Sequence, residues 1–361
     1  MKIKLLGKNL EELKVVVAQA GLPGFTAKQI AQWLYQKKVR SIDEMTNLSK
    51  VAREKLSEKY EVGVVEYAEK IISSDGTKKY LFPVKCSHNK GLNCAVNGTV
   101  PESELEAGAI EAVMIPDDDR ATLCVSSQSG CKMGCKFCMT GRQGFHGQLS
   151  AADIISQYIA VDECESLTNT VFMGMGEPLD NYENVMRAIE ILTADWGFGW
   201  SPKRITVSTI GVLPTLKNYL EDCKCHLAVS LHDPFSDERQ SVMPAQKAFP
   251  LAQVIDLIKQ YDFTGQRRVS FEYTMFAGFN DNKRHADALF RMLRGIECRM
   301  NLIRFHKIPD FPYDTCPGLI MEKFKQRLNN LGVTTTIRAS RGEDILAACG
   351  MLAGEHKERE S

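Results

Sequence analysis

Three cysteines lie within eight residues of one another, in the segment Cys131-Lys-Met-Gly-Cys135-Lys-Phe-Cys138. Thiolates at this spacing can surround one metal centre, and thiolates favour zinc or iron–sulfur clusters. A closed structural zinc site needs four ligands, often from two CxxC pairs, and the sequence has no second pair. The spacing therefore predicts a [4Fe–4S] cluster whose fourth iron is open for chemistry. A zinc knuckle with a remote fourth cysteine is the alternative.

One acidic residue lies on a strongly apolar predicted strand. In Ile110–Ile115 both alternating faces are apolar, which predicts a strand that is buried on both sides. Glu111 shares a face with Val113, and a buried carboxylate is costly unless it is paired or functional. Glu111 is therefore a candidate functional residue. The alternative is an ion pair with an arginine, such as Arg120 or one further away.

The other cysteines give weaker signals. Lone cysteines are usually small buried hydrophobes, and both Cys124 and Cys349 would pass for such residues. Cys124 lies on a strand that leads into the three-cysteine segment, whereas Cys349 ends a short apolar segment before a glycine. Cys86 and His88, with Cys94, form a further metal-like group, but four ligands are not visible there. No role follows for the remaining cysteines, which are Cys164, Cys223, Cys225, Cys298 and Cys316.

Strand-like and helix-like segments alternate from about residue 126 onward, which indicates βαβ units and a parallel sheet, either doubly wound or a barrel. The predicted strands are Thr170–Met173, Arg204–Ser208, His226–Leu231, Arg268–Tyr273, Arg299–Phe305 and Val333–Ala339. The predicted helices between them include Ala151–Ala160, Glu183–Leu192, Ala252–Tyr261, Lys283–Leu293 and Met321–Leu328. In barrels the chemistry gathers at the C-terminal ends of the strands. Polar residues follow the strands here at Gly174–Glu177, Ser208, Ser230–His232 and His306, although single serines after strands are usually turn or cap residues.

Residues 1–60 are predicted to form a small helical domain. Leu10–Ala20 has helical apolar spacing and ends at a Gly-Leu-Pro-Gly breaker, and Thr26 can cap a second helix. These residues contain 12 Lys and Arg against 6 Asp and Glu, whereas the whole chain is neutral. A basic end on an acidic body suggests contact with a polyanion, and a solvated helical face is the alternative.

The rest of the chain divides into three predicted parts. Residues 61–125 form a β-rich linker, with an insertion at 86–108 that is rich in Asn, Gly, Ser and Glu. Residues 126–354 form the α/β domain, and 355–361 a charged tail. The linker strands are predicted at Val62–Ile72, Lys78–Val84, Ile110–Ile115 and Ala121–Val125.

The composition is that of a water-soluble globular protein, with 44% hydrophobic and 25% charged residues in a chain of 361. No apolar run approaches the roughly 18 residues that a membrane span needs, and the N-terminus has no apolar signal core. Twelve cysteines in such a chain favour metal binding or thiol chemistry over structural disulfides. We therefore expect a cytosolic protein without a membrane partner.

The motifs around the three cysteines resemble those of the radical-SAM superfamily, in which an aromatic residue such as Phe137 commonly precedes the last cysteine. Further motifs narrow the resemblance to the dual-specificity RlmN family and the related Cfr methyltransferases. They are Cys124-Val-Ser-Ser-Gln-Ser-Gly-Cys131, Thr140-Gly-Arg-Gln-Gly-Phe145, Phe172-Met-Gly-Met-Gly-Glu-Pro178-Leu-Asp-Asn181, Ser208-Thr-Ile-Gly211, Ser230-Leu-His232, Asn301-Leu-Ile303 and Gly342-Glu-Asp-Ile-Leu-Ala-Ala-Cys349-Gly350. The similarity extends from the N-terminal helices to about Gly354 and fails in the 86–108 insertion.

The resemblance implies a fold and a set of site residues. The fold is a partial (β/α) TIM-type barrel of the radical-SAM class with a small N-terminal helical domain. Cys131, Cys135 and Cys138 would hold the cluster, whose open iron would bind S-adenosylmethionine. Cofactor contacts are implied for Gly176, Glu177, Ser208, Ser230, Leu231, His232 and His306, the last at a place where the family usually has Asn.

The resemblance also implies an activity, which is methylation of adenine carbon 2 in 23S rRNA and some tRNAs with two S-adenosylmethionine molecules per turnover. Cys349 would take a methyl group from the first. A 5′-deoxyadenosyl radical from the second would activate that methyl group for addition to the base. Glu111 would act as general base, and Cys124 would release the product by forming a disulfide with Cys349. A flavodoxin- or ferredoxin-type electron donor and a monomeric enzyme are expected.

Three alternatives remain open from the sequence. A Cfr-like enzyme would methylate carbon 8, but Pro178 resembles the carbon-2 group, because the carbon-8 relatives tend to have Ala there. A non-catalytic, metal-stabilised RNA-binding protein would need no open iron. A different radical-SAM enzyme that acts on a small molecule or a protein has no evident need for the Cys124 and Cys349 thiols.

Overall fold

The computed structural model describes residues 2–87, 105–265 and 267–353. His88, Cys94 and the rest of 88–104 lie outside the described residues, as does the tail predicted at 355–361. The strands are β1 (Ile3–Lys4), β2 (Tyr60–Glu61), β3 (Glu69–Ile72), β4 (Lys78–Ser87), β5 (Leu105–Asp117), β6 (Arg120–Cys124), β7 (Gln128–Gly130), β8 (Phe145–Gln148), β9 (Asn169–Phe172), β10 (Ile205–Thr209), β11 (His226–Ser230), β12 (Val269–Met275), β13 (Cys298–Arg304) and β14 (Thr334–Ile337).

Ten of these strands form one sheet in the order β14-β13-β12-β11-β10-β9-β6-β5-β4-β3. Neighbours from β14 to β6 run parallel, and β5, β4 and β3 extend the sheet by antiparallel pairing. Among the described strands, the two edge strands β3 and β14 do not pair with each other, so the sheet is open. An open, mainly parallel sheet with helical crossovers agrees with the predicted partial barrel.

The helices are α1 (Leu10–Gln19), α2 (Thr26–Ala31), α3 (Lys50–Lys59), α4 (Met139–Arg142), α5 (Ala151–Ala160), α6 (Tyr182–Thr193), α7 (Leu213–Asp222), α8 (Ser236–Val242), α9 (Leu251–Ile258), α10 (Lys283–Leu293) and α11 (Gly318–Asn330). From α6 onward they alternate with the parallel strands. Their starts are set by side-chain caps where the sequence offers them. Ser150 accepts a hydrogen bond from Asp153 N to start α5, and Asn282 accepts one from His285 N to start α10. None of the described helices is both long and apolar enough to cross a bilayer.

Parallel pairing brings the C-terminal ends of the strands to one edge of the sheet. Ser208 of β10 is paired with Ala228 of β11, and Ser230 at the end of β11 is paired with Glu272 of β12. Cys124 ends β6 opposite Val171 of β9. The loops that follow these strands therefore meet above the same edge.

The N-terminal helices pack against the barrel through ion pairs and apolar contacts. Four cations of residues 1–60 each pair with a carboxylate outside that segment. The pairs are Lys4–Asp153 (3.5 Å), Lys28–Asp195 (3.9 Å), Lys38–Glu165 (3.1 Å) and Arg40–Glu66 (3.2 Å). The buried apolar side chains of both parts form one continuous cluster. Part of the basic excess of this segment is thus neutralised by the acidic body.

The strand predicted at Val62–Ile72 is wrong over its first part, because only Glu69–Ile72 is a strand. Before this strand the backbone passes over helix α5. There Val65 N donates to the Ser156 hydroxyl (3.0 Å) instead of to a neighbouring strand. Pairing with β4 begins at Ala68, whose N–H donates to the Leu81 carbonyl (2.8 Å). Apolar alternation alone could not reveal this detour.

Candidate active site

The three-cysteine segment forms a tight loop that ends in α4. Cys131 N donates to the Gly144 carbonyl (2.7 Å), and Cys138 N donates to the Cys135 carbonyl (3.2 Å). At Gly141 an added Cβ would lie 2.9 Å from the backbone of Cys135, so the chain passes too close there for a side chain. The loop is thereby folded around its own thiols.

All three thiols are free of disulfides, and their surroundings oppose ionisation. Burial raises the pKa of Cys131 to about 12 and the pKa of Cys135 well above its usual value, and neighbouring thiols of the loop raise both further. Burial also raises the pKa of Cys138. A bound cationic cluster reverses this, because it supplies positive charge to three thiolates at once. The donor set therefore fits a cluster that is held by three cysteines.

The loop after β9 places a carboxylate next to this segment. Gly176 has a φ of +100°, and an added Cβ would lie 2.5 Å from the Cβ of Gln128. The carboxylate of Glu177 accepts hydrogen bonds from the backbone N–H groups of Leu179 (3.0 Å) and Ile210 (2.9 Å). Burial raises the pKa of Glu177 to about 7, against the effect of these bonds. The charge of Glu177 raises the pKa of both Cys131 and Cys135, which indicates that this carboxylate lies on the side of the cysteine loop.

The end of β11 is held by a buried arginine that the sequence analysis missed. The guanidinium of Arg239 is fully buried and donates to the carbonyls of Ser230 and Leu231, each at 2.9 Å. Leu231 is fully buried, and its backbone N–H donates to the Glu272 carbonyl (3.0 Å). Ser208, on the adjacent β10, is partly exposed.

His232 follows directly and contacts the cysteine loop. Its backbone has a left-handed φ of +58°, and its ring lies 4.9 Å from the ring of Phe137. Nδ1 accepts a hydrogen bond from Thr274 N (3.0 Å), so the ring proton is on Nε2. Burial, and secondarily the charge of Arg239, lowers the pKa of His232 to about 3. The imidazole is therefore a neutral hydrogen-bond donor.

The segment that carries Cys349 lies against the cysteine loop. Met139 N donates to the Gly350 carbonyl (2.8 Å), and the Thr140 hydroxyl donates to the Leu352 carbonyl (2.7 Å). Cys349 itself is exposed. These two hydrogen bonds hold the segment after Cys349 against the end of the cysteine loop.

Glu111 is buried on β5, as predicted, but its cationic partner differs from the one suggested. Lys79 on β4 contacts its carboxylate at 2.9 Å, and Ala353 N donates to the other carboxylate oxygen at 2.8 Å. Arg120 is exposed. In the register of β5 and β6 it lies opposite Asp117, at the C-terminal end of β5. The suggestion of Arg120 is therefore wrong, because the hairpin register carries it away from Glu111.

Cys124 and Cys349 line one small cavity, of about 90 Å³, together with Cys138 and Arg338. Cys124 is buried, and burial raises its pKa to about 12, with the Cys349 charge raising it further and Arg338 lowering it. The guanidinium of Arg338 is 3.5 Å from the Glu272 carboxylate. The charge of Cys349 is the largest cause that raises the pKa of Arg338. An arginine that the sequence analysis did not single out thus lies beside both thiols.

A larger cavity, of about 280 Å³, adjoins the first, since Arg338 and Cys349 line both. Arg304 and Arg341 also line it, which gives this cavity three cationic side chains. His306 lines the same cavity, and its ring nitrogens contact the Ser340 hydroxyl (3.0 Å) and the Glu343 carboxylate (3.1 Å). His306 therefore faces the Cys349 side of the site.

Similarity to known proteins extends along nearly the whole chain. Residues 3–62 match the family model described as "Ribosomal RNA large subunit methyltransferase N-terminal domain", and residues 125–290 match "Radical SAM superfamily". The chain is 54% identical over 352 residues to a "Probable dual-specificity RNA methyltransferase RlmN" of Porphyromonas gingivalis, which covers 98% of this chain and 94% of that protein. The chain belongs to the RlmN family of radical-SAM methyltransferases.

Further relatives show the same similarity over almost the full length of the chain. The relative from Bacteroides thetaiotaomicron is 52% identical over 357 residues, with 99% of this chain and 98% of that protein covered. The crystal structure of a radical SAM methyltransferase from Sphaerobacter thermophilus superposes with a TM-score of 0.86 at 36% identity, covering 98% of this chain and 100% of that one. The chain is thus an enzyme of the radical-SAM class, whose cofactors are a [4Fe–4S] cluster and S-adenosylmethionine. A non-catalytic RNA-binding protein is excluded.

Proposed function

We propose that this RlmN-family chain methylates carbon 2 of an adenine in 23S rRNA and in some tRNAs, with Cys349 as methyl carrier and Cys124 as resolving thiol. One observation carries the proposal, which is that Cys124, Cys349 and Cys138 line the same cavity. The similarity to dual-specificity RNA methyltransferases supports RNA as the substrate.

The cofactor positions follow from the fit of the residues. Cys131, Cys135 and Cys138 would hold the cluster, and Glu177 would receive the amino group of S-adenosylmethionine beside it. When bound, the cluster and S-adenosylmethionine supply a one-electron cleavage that yields a hydrogen-abstracting radical. The other residues that we propose to position S-adenosylmethionine are Gly176, Ser208, Ser230, Leu231 and His232. We assign His306 to the larger cavity instead, because it contacts the segment before Cys349.

Cys349 is exposed and can therefore reach both a methyl donor and a base. Its thiolate would take the methyl group by displacement, with S-adenosylhomocysteine as the leaving group, which makes the Cys349 sulfur a thioether. Arg338 lines the same cavity, and the charge of Cys349 is the largest cause of the raised pKa of Arg338. We therefore assign Arg338 as a positioning residue for the thiol chemistry.

Cys124 acts at the last step. After the carrier carbon has joined the base, the carbon–sulfur bond to Cys349 must break. The Cys124 thiolate attacks the Cys349 sulfur and a disulfide forms, while the carbon keeps the bonding electron pair and takes a proton. Burial keeps Cys124 as a thiol at rest, since its pKa is about 12. Its activation therefore depends on a local base and on the charge of Arg338.

We propose Glu111 as the base that takes the proton from adenine carbon 2. Its carboxylate is bonded to Ala353 N, four residues after the carrier cysteine, and it is not among the residues that line the two cavities. It can act as a base only when the segment through Ala353 moves. Removal of the proton by Glu111 therefore depends on the position of the segment that contains Ala353.

The larger cavity suits a nucleotide of folded RNA. Its arginines can contact phosphate and stack on a base, as guanidinium groups do in RNA recognition. A base edge is reachable only when the nucleotide is unstacked or flipped out. We infer that Arg304, Arg338 and Arg341 receive the flipped nucleotide and its neighbouring phosphates.

The regiochemistry is inferred from one turn. Pro178 begins a short 3-10 turn, Pro178–Asn181, in which the N–H of Leu179 donates to the Glu177 carboxylate. This proline resembles the one in the carbon-2 group of enzymes, so 8-methyladenosine as the main product would favour the Cfr-like alternative.

We further infer a cytosolic, monomeric enzyme with a flavodoxin- or ferredoxin-type reductant. We also retain the division into an RNA-contacting segment at 1–60, a linker at 61–125 and a barrel at 126–354.

The two thiols give the sharpest test of this function. Cys124→Ala should stall the reaction after addition and trap a protein–RNA crosslink through Cys349. Cys349→Ala should give neither product nor crosslink, because no carrier forms. A denaturing gel of protein expressed in cells, with and without nuclease, measures both. Normal turnover by Cys124→Ala, or the same adduct in both variants, would overturn the proposal.

A further inference from the structure

A second group of potential metal ligands lies outside the cysteine site. Asp233 follows β11, Glu238 lies on α8, and His285 lies in the first turn of α10. One oxygen or nitrogen of each lies within 4.8 Å of the others. Asp233 and His285 are buried, with 0% and 1% of their side chains exposed, whereas the side chain of Glu238 is 28% exposed.

The hydrogen bonds around His285 fix its tautomer. The Asn282 side-chain oxygen accepts the backbone N–H of His285 as the cap of α10, so this oxygen is an acceptor. Nδ1 of His285, 2.9 Å from the same oxygen, must therefore carry a proton and donate it. Nε2 is left to face two carboxylates, with either a lone pair or a second proton. A lone pair alone would be repelled by both carboxylates.

One proton does not satisfy this arrangement. Nε2 is 2.8 Å from Glu238 Oε2 but 3.5 Å from Asp233 Oδ2. A proton on Nε2 would be directed to Glu238, so the fully buried Asp233 Oδ2 has only the long 3.5 Å ion-pair contact with His285 and accepts no well-formed hydrogen bond from any described residue. A buried carboxylate oxygen without a partner is costly. One cation among the three ligand atoms would satisfy all of them.

We propose that Asp233, Glu238 and His285 bind a divalent metal ion of the zinc class. One imidazole nitrogen and two carboxylate oxygens form a donor set that zinc accepts, with a fourth position left for water. The surroundings resemble the outer contacts of such sites. Asn282 orients the imidazole, and Arg284 donates to the second oxygen of Glu238 at 2.7 Å.

The position of the site gives the ion a structural role. Asp233 directly follows Ser230–His232, the strand end that we assign to S-adenosylmethionine. Glu238 adjoins Arg239, whose guanidinium holds the same strand end. An ion that joins β11, α8 and α10 would fix this corner without touching the cluster.

The test is made on the full-length enzyme with its cluster reconstituted, so that the three motif cysteines are already occupied. The enzyme is exposed to zinc, desalted, and analysed for zinc content and by zinc K-edge absorption. We expect about one zinc ion per chain with nitrogen and oxygen neighbours at about 2.0–2.2 Å. A sulfur shell at about 2.3 Å, or no retained zinc, would overturn the proposal.

Variants give an independent readout. Asp233→Asn and His285→Gln should lose the zinc, and zinc should no longer raise their melting temperature, while the cluster absorbance is kept. Asp237→Asn is the matched control, because Asp237 is an exposed carboxylate on the same helix as Glu238. Zinc retention by the Asp233 and His285 variants at the level of this control contradicts the site. Protonation of Nε2 in the zinc-treated wild type, seen by NMR, also contradicts it.

Discussion

At the scale of single residues, Arg338 connects the thiol chemistry to the sheet. Its backbone N–H donates to the Leu302 carbonyl of β13 at 2.9 Å, and its guanidinium reaches the Glu272 carboxylate of β12. The same guanidinium lies 3.2 Å from the Met173 sulfur at the end of β9. A positive charge is thereby fixed beside two cysteines that lie 225 positions apart in the sequence.

Replacing Arg338 should impair the resolving step in a pH-dependent way. Arg338→Gln removes the charge that lowers the pKa of Cys124, so less thiolate is present at neutral pH. We expect product release to slow by roughly tenfold or more at neutral pH and to recover as the pH rises. The fraction of RNA that stays crosslinked, measured against pH, checks this. Arg338→Lys keeps the charge and should behave more like the wild type, and identical profiles for all three proteins would contradict the assignment.

Glu111 allows stability and catalysis to be separated. Glu111→Gln leaves the ammonium of Lys79 without its counter-ion, and breaking a buried pair costs about 3–5 kcal/mol of unfolding free energy. If Glu111 is also the base, this variant should accumulate crosslinked RNA. Lys79→Met removes the other partner and should cost similar stability without that accumulation. Denaturant unfolding and the crosslinking gel make the two measurements, and equal crosslinking in both variants would assign Glu111 a structural role only.

At the scale of elements, the sequence predicts those parts whose signals are local. Lys283–Leu293 and Ala151–Ala160 have the predicted bounds, because apolar spacing and side-chain caps both lie within a few residues. The hairpin of β7 and β8 was missed, because Gln128–Gly130 is only three residues long and pairs across the whole cysteine loop. Short elements that depend on distant partners carry no periodicity of their own.

The same distinction applies to the site. Motif spacing predicts the three cysteines as cluster ligands, and resemblance predicts roles for Cys124 and Cys349, but the sequence does not reveal the cations around the candidate site. Lys79, Arg239 and Arg338 reach the site from other strands and helices. Such cations look like ordinary surface charges until the sheet register places them.

The loop after β9 provides a test at this scale. Gly176→Ala places a Cβ 2.5 Å from the Cβ of Gln128 in a backbone conformation that costs about 1–2 kcal/mol for other residues. We expect S-adenosylmethionine binding to weaken by roughly tenfold or more, because each 1.4 kcal/mol is a factor of ten, while the cluster absorbance is unchanged. Gly199→Ala is the control, since Gly199 has a φ of +69° but open space around it. Equilibrium dialysis measures binding, and equal affinities would show that the loop tolerates the methyl group.

At the scale of the whole molecule, the basic N-terminal segment has two uses for its charge. Four of its cations pair with carboxylates beyond residue 60 and so fix the helices to the rest of the chain. Others are exposed on α3, among them Lys55 and Lys59. This second group is the better candidate for contact with a polyanion such as RNA. Deleting the whole segment would remove both groups, so it could not distinguish loss of RNA contacts from loss of the contacts between the segment and the rest of the chain.

Point substitutions separate these two uses. Lys55→Gln combined with Lys59→Gln should weaken RNA binding and reduce the slope of affinity against salt by about 1–2. Stability should change little, because both side chains are exposed. The paired control is Lys217→Gln with Lys224→Gln, two exposed lysines on or near α7. The measurement is the RNA affinity of both double variants at several salt concentrations. Equal affinities and equal salt dependence for the two would contradict a role of α3 in RNA binding.

The bond from Met139 N to the Gly350 carbonyl has a consequence for how preparations of this enzyme are judged. The segment that contains Cys349, the thiol that we propose as the methyl carrier, is hydrogen-bonded to the cysteine loop. We therefore expect a chain without its cluster to hold this thiol in place less well. The methylated fraction of the peptide that contains Cys349, measured by mass spectrometry, should then indicate how much of the protein held its iron–sulfur cluster during expression. A culture starved of iron should yield unmethylated peptide even where S-adenosylmethionine is abundant.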